Sequence, residues 1–360
     1  MEPLDVIVYF DYAFDIGYEI DLERVGPLLQ GHQGGLPRRR RTPESIRYRP
    51  APIRVPVETG EVRLPGGVST TQPPRGEMAI FDFGAVSLVL QFSVRLTPEE
   101  LTRLAADLAD PAPLNEAARR VTAPWVERIR PAVIGPEESD LSEEYVLFQL
   151  ADGRGDWLET RADWIAGLVR LESGELSRGE VAEATRLSLS YTPDDLVTLD
   201  WAAGFVADRD CADTLQVIEF ANVQLLEFRH IDDRLDDRLE AAYRLIRPIE
   251  KRPPRAAWWR SHDEAMRSVR ELEIEATSLF ERADNGLKLI GDQYLARVYN
   301  LTQERFHLPE WQQSIRRKLE TVGDVFDLLV QQSGGKRMEL LEIIVVVLIA
   351  VEILLALWRH

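Results

Sequence analysis

The 360-residue chain has a single cysteine, Cys211. It therefore cannot close an internal disulfide, nor build a multi-cysteine zinc site or an iron–sulfur cluster. A reducing compartment is compatible with that. Histidine is scarce, with five residues, and of the 43 basic residues only Lys251, Lys288, Lys318 and Lys336 are lysines, a bias that fits GC-rich coding. Positive charge is in deficit overall, 43 Lys+Arg against 61 Asp+Glu, for a formal charge of −18. Nearly all of the excess lies in residues 136–243, which hold 26 acidic and 9 basic residues. Phosphate backbones are bound through Lys and Arg, so direct DNA binding is not expected of such a surface. The acidic middle suits a basic protein partner, or solubility alone.

Nucleotide and hydrolase signatures are missing as well. There is no Gly-x-Gly-x-x-Gly and no Gly-x-Ser-x-Gly elbow, and Gly334-Gly335-Lys336-Arg337 lacks the upstream glycine and following Ser/Thr of a phosphate loop. No catalytic residue and no cofactor are expected. What remains is a chain of 45% hydrophobic and 8% aromatic residues, able to form a core and long enough for two domains.

The two ends differ sharply. Met1-Glu-Pro-Leu-Asp leads straight into the apolar Val6–Phe10, without the basic start of a secretory signal or the Arg-rich character of a transit peptide. At the other end, Leu340–Trp358 is apolar throughout except for Glu342 and Glu352. As a helix, residues 338–358 would cross about 30 Å of hydrocarbon. Gly334-Gly335 breaks the preceding helix, Lys336-Arg337 marks the cytoplasmic side, and Trp358 stands where an interfacial aromatic belongs. This predicts a C-terminal membrane anchor, against the alternative of a buried core helix. An acid near the bilayer centre costs on the order of 2 kcal/mol or more unless protonated or paired. Glu352 is therefore expected to lie against a second copy of the helix, giving a homo-oligomer.

The first part of the body reads as sheet. Val6–Phe10 is a short apolar run, and Met78–Phe83 and Ala85–Val94 form a hairpin around Gly84. Between them residues 36–75, rich in Pro, Gly and Arg, read as an exposed insertion. Its Arg38, Arg39, Arg40, Arg41, Arg47, Arg49 and Arg54 face only Glu44 in opposite sign between Arg38 and Arg54. They could dock on lipid headgroups or RNA, or be solvated. Thr97-Pro98-Glu99-Glu100 is a capping box opening a helix, and Tyr145–Leu150 reads as a returning strand. From about residue 158 the pattern reads as helical. Ser177-Arg-Gly-Glu180 and Thr192-Pro-Asp-Asp195 serve as helix starts, with a long helix over Ala212–Ile246 and heptad-like runs at 265–283 and 315–329 forming an antiparallel hairpin around Leu308-Pro309.

One constellation carries possible chemistry. Glu227-x-x-His230 and Glu304-x-x-His307 have the spacing that places two ligands on one helix face in carboxylate-bridged di-metal bundles, with Glu219 or Glu275 as further ligands. In a chain with 61 acidic residues such pairs also arise by chance, as surface or capping groups.

Three stretches resemble the required-for-meiotic-nuclear-division family, whose animal mitochondrial member supports translation. They are Gly76-Glu-Met-Ala-Ile-Phe-Asp-Phe-Gly-Ala-Val86, Glu180-Val-Ala-Glu-Ala-Thr-Arg-Leu-Ser-Leu-Ser190, and Leu341-Glu-Ile-Ile-Val-Val-Val-Leu-Ile-Ala-Val-Glu-Ile353 with its two acids, Glu342 and Glu352. The chain departs from the family's mitochondrial members in lacking an import sequence, and Asn222 and Trp258-Trp259 only loosely echo the family's long-helix positions. The resemblance implies a non-enzymatic, membrane-held oligomer with translation machinery as partner.

The expectation is thus an α+β fold: a sheet-plus-helix domain at 1–152, an all-α domain at 153–335 and a membrane segment at 336–360. Its role is that of a scaffold recruiting a ribosome or basic protein to the cytoplasmic face of a bacterial inner membrane. A di-metal enzyme and an RNA binder using the Arg-rich loop are the competing readings.

Overall fold

The computed structural model describes residues 2–29, 50–137, 139–151, 156–246 and 292–324, together with Arg267, Ile274 and Thr277. The chain divides into two compact units, Met1–His230 with Thr277–Gln312, and Ile231–Ala276 with Gln313–His360.

The first unit is a mixed α+β body around an eight-stranded sheet. Its centre is β1 (Leu4–Asp15), flanked antiparallel by β5 (Ala85–Leu96) and β7 (Ser142–Leu150). Beyond β5 come β4 (Arg75–Ile80) and the edge strand β3 (Ile53–Val57); beyond β7 come β10 (Ala203–Ala207), β9 (Leu196–Leu199) and the short β8 (Ser188–Leu189). The β7–β10 pair is parallel and the others are antiparallel. A separate ribbon joins β2 (Gly17–Ile20) to β6 (Val133–Pro136).

Side chains alternate across a strand, and β1 uses both faces differently. Val6, Val8, Phe10, Tyr12 and Phe14 enter a large apolar core. Over that face lie α2 (Pro98–Asp107), α3 (Ala112–Ile129), α4 (Trp157–Arg170) and α5 (Arg178–Ala184), which contribute Leu101, Leu104, Ala118, Ile165, Leu168 and Ala184. A short α1 (Leu22–Leu28) adds Val25. The opposite face presents Tyr9, Asp11, Ala13 and Asp15 and is covered by α6 (Ala212–Ile246) and α7 (Gln293–Arg305), where Phe220 and Tyr299 pack with centroids 6.1 Å apart.

Several sequence expectations hold. The hairpin turns at Gly84, whose φ is +98°. The Thr97 hydroxyl accepts from Glu100 N while the Glu100 carboxylate accepts from Thr97 N, a closed capping box. Ser177 Oγ accepts from Glu180 N at the start of α5.

Others are corrected. The sheet does not close at residue 152, since β8, β9 and β10 extend it within the stretch read as all-helical. These strands are short and fully or nearly fully buried, so they lack the alternation that marks a half-exposed strand. Thr192-Pro-Asp-Asp195 starts no helix: the Asp195 carboxylate accepts from Tyr191 N, Thr192 N and the Thr192 hydroxyl, closing a turn before β9. The stretch 36–75 is not insertion throughout, because 53–57 is strand β3. Arg38, Arg39, Arg40, Arg41, Arg47 and Arg49 lie outside the described residues.

In the second unit, the described part of α6 and the helical residues 313–324 are tied by Lys318, whose Nζ lies 2.8 Å from Asp232 Oδ2 and 2.7 Å from Asp236 Oδ1. Ile315 and Val322, read as heptad positions, are fully buried. The partner run at 265–283 falls outside the described residues apart from three isolated positions, and so do Glu342, Glu352, Trp358 and the whole apolar run at 338–358. Among the described residues no helix is long and apolar enough to cross a membrane.

Candidate functional site: a buried ionic seam under helix α6

The polar face of the sheet and the underside of α6 form a buried seam of charged groups. Period-two alternation on β1 brings Asp11 and Asp15 to this face, and the registers with β5, β4 and β3 place Ser87, Glu77 and Arg54 on it. From α6 come Glu219, Asn222, Arg229 and His230; the first three are spaced at three and seven residues, as one helix face requires, and His230 flanks Arg229.

Arg54 is the hub. Its Nη2 donates to Glu219 Oε2 at 2.6 Å and its Nη1 to Glu219 Oε1 and Glu77 Oε1 at 3.1 Å each. The guanidinium forks Glu219 bidentately, the strongest geometry available to this pair. Both glutamates are only 1% exposed, and Ser87 Oγ donates a short hydrogen bond to Glu219. Asn222 Nδ2 donates to the Asp11 backbone and carboxylate at 3.5 and 3.4 Å. Burial raises the Asp11 carboxyl well above the usual carboxylate range and neighbouring Glu219 adds to this, while Arg54 and Asn222 act against it.

Two more ties lie toward the end of the seam. Arg229 pairs with Glu143 on β7, and His230 Nε2 stands 3.3 Å from Asp15 Oδ2. Burial pushes Glu143 up to about 7 although Arg229 draws it down. A carboxyl raised in the folded state takes up a proton on folding, so its favourable contribution is complete below the unfolded value of 4.5 and is lost as pH climbs through about 7. Glu143→Gln keeps a polar partner for Arg229 and removes the titration. Relative to wild type, its unfolding free energy should gain on the order of 3 kcal/mol between the acid and neutral ends of that window. Urea melts across the window check this.

The sequence-derived site residues are distributed as follows. Arg54, expected on an exposed loop facing an anionic partner, is instead committed to Glu219 and Glu77, because strand pairing turns its side chain under α6. Glu227 and His230 lie buried on α6. Glu304 is half exposed on α7 and pairs with Arg186 at 2.7 Å. His307 is not on the same helix face, since α7 ends at Arg305 and His307 follows in a left-handed turn with φ +52°. Glu219 serves Arg54, and Glu275 lies outside the described residues. Among the described residues no group of three or more His, Cys, Asp or Glu is placed to hold a metal ion.

Asp11 and Asp15 were missed in the sequence, although acids at alternate positions of the apolar run 4–15 signal a polar strand face. Cys211 is buried beside Tyr9, and burial pushes its thiol up to about 12, so it is a poor nucleophile. A separate cleft of about 1470 Å³ runs between the loop after β3 and α3, lined by Trp125, Arg63, Arg120, Arg128, Glu58 and Glu61.

The fold and seam define a mixed α+β domain in which a long helix is fastened to a sheet by buried ion pairs. The chain belongs to the family described as the N-terminal domain of the uncharacterized protein MJ0711, whose model matches residues 5–214. It is similar to the uncharacterized protein MJ0711 of Methanocaldococcus jannaschii, with 25% identity over 223 residues, which are 60% of this chain and 66% of that protein. The chain thus matches slightly under two thirds of the relative's length. No solved structure matches it.

Proposed function

We propose that this chain is a non-enzymatic, membrane-held recruiting protein whose folded body stands on the cytoplasmic side and whose segment 338–358 spans the bilayer as part of a homo-oligomer. The observation that carries the reading is the apolar run Leu340–Trp358, broken only by Glu342 and Glu352 and preceded by Lys336-Arg337. The seam supports it: Arg54, Glu219, Glu143 and Arg229 are occupied with one another as structural ties. By its resemblance to the meiotic-nuclear-division family, the recruited partner is translation machinery.

Alkaline carbonate extraction of membranes tests the anchoring directly. The full-length chain should stay in the pellet, and a chain lacking 338–358 should leave it. Recovery of the full-length chain in the supernatant sinks the proposal. Co-sedimentation with ribosomes above the level of an unrelated membrane protein tests the partner.

A further inference from the structure

Asp11 is a buried acid that the seam leaves poorly served. Its place on β1 is fixed by pairing with Val89 on β5 and Tyr145 on β7, and α6 closes over it. The residue is 2% exposed, and its Oδ1 is buried without a hydrogen-bond partner among the described residues. Its Oδ2 receives only Asn222 Nδ2, at 3.4 Å, and the same amide lies 3.5 Å from the Asp11 carbonyl. Donors to an ionised carboxylate commonly stand closer, at about 2.7 to 2.9 Å when charged themselves. Two other buried aspartates are provided for quite differently. Asp15, on the same strand face, accepts from Gly17 N at 2.9 Å on one oxygen and stands 3.3 Å from His230 Nε2 with the other. Asp195 accepts from Tyr191 N, Thr192 N and the Thr192 hydroxyl at 2.7, 2.9 and 2.7 Å.

The groups around Asp11 do not make up the deficit. Arg54, from β3, is hydrogen-bonded to Glu219 of α6 and Glu77 of β4 and makes no ion pair with Asp11. On β7, Glu143 is paired with Arg229 of α6, and the Tyr145 hydroxyl donates to Asp200 O. On β1, Tyr9 donates to Gln149 Oε1, and from α7 Tyr299 donates to Gln224 Oε1. Glu227 of α6 is a further buried acid. The described cations of the seam, Arg54, Arg229 and His230, thus stand against Glu219 and Glu77, Glu143, and Asp15 in turn. A carboxyl in a dry site with neither a cation nor a close donor takes up a proton. The upward shift of Asp11, caused by burial first and Glu219 next, has the same direction.

We infer that docking of α6 on the sheet is coupled to the uptake of one proton by Asp11, which is held as a neutral carboxylic acid beneath the helix. The proton comes from water and returns to it when the helix lifts and Oδ1 is hydrated. This latch belongs to the folded body and depends on neither the membrane anchor nor a recruited partner. An acid that keeps its proton only in the docked state favours docking fully below about 3.9, the value of a free aspartate. That advantage is lost as pH rises to the docked-state value, the docking equilibrium falling about tenfold per pH unit across the interval.

Infrared spectroscopy of the full-length chain in mild detergent, isotope-labelled at the aspartate carboxyl, reads the proton directly. At neutral pH the carbonyl stretch of a protonated aspartate should be present in wild type and reduced or lost in Asp11→Asn, and labelling aspartate alone keeps Glu143 out of the spectrum. No such band in wild type, or an undiminished one in Asp11→Asn, overturns the inference. Asparagine copies the neutral acid in shape, so the variant should fold; failure to fold would mean that the negative charge is required, which also overturns it.

Hydrogen exchange of the best-protected amides in residues 212–230 then reads the coupling. As pH is raised from about 5 to about 8, protection corrected for the intrinsic exchange rate should fall in wild type relative to Asp11→Asn, by up to about tenfold per unit. The other seam groups, Glu143 among them, are common to both proteins and drop out of the ratio. A ratio that stays constant over the whole range would sink the latch.

Discussion

Arg54→Ala should be among the most damaging single substitutions in the chain, costing about 3 to 5 kcal/mol in urea denaturation of the full-length protein in mild detergent. Removing the guanidinium takes a buried cation away from Glu77 and Glu219, both 1% exposed, beside the buried Asp11. The repulsion between them, no longer offset by the forked guanidinium, costs more than the net value of the original pairs. Two further results would identify this cause. The deficit should shrink as the medium is acidified, since protonated carboxyls no longer need the cation. Arg54→Met combined with Glu219→Met should recover part of the loss, because one buried charge leaves together with its partner. A deficit below about 1 kcal/mol for Arg54→Ala would mean that the seam is hydrated and weak.

Gly84→Ala is expected to be comparably severe, on the order of 3 to 5 kcal/mol, for a different reason. At φ +98° an L side chain is already strained, and a Cβ there would sit 1.7 Å from the carbonyl oxygen of Gly17. The obstruction is backbone, held by the hydrogen bond from Ile16 N to Gly84 O at 3.0 Å. Neither chain can retreat without parting β2 from the hairpin. Gly60 provides the control: its φ is +57° but an added Cβ meets nothing within 4 Å. Gly60→Ala should therefore cost only about 1 kcal/mol of conformational strain. Thermal melts of the two variants side by side would show whether the collision or the dihedral dominates. Equal losses would refute the collision.

Much of the sheet was legible because its local chemistry agreed with its tertiary role. The Gly84 turn, the Thr97 capping box and the Ser177 cap each identify themselves within four residues. Long-range pairing was not legible. Leu196–Leu199 and Ala203–Ala207 are buried on both faces, so they show no alternation, and the turn before them imitates a helix cap in its residue types. The place of Arg54 is hidden from its local sequence for a related reason. It lies near arginines in a Pro- and Gly-rich stretch, and only its strand register, opposite Ala79, turns it inward. The seam itself joins residues 165 positions apart, Arg54 and Glu219, a distance at which no local pattern operates.

The family match stops at residue 214, only two positions into α6, whereas every side chain that α6 lends to the seam comes later, from Glu219 onward. A fragment cut at that limit would keep the apolar layer of the sheet intact and strip the lid from the other. Asp11, Asp15, Glu77 and Arg54 would then meet water. Whatever relatives share up to that point, the matched stretch in this protein leaves out the helix that covers the charged face of its own sheet.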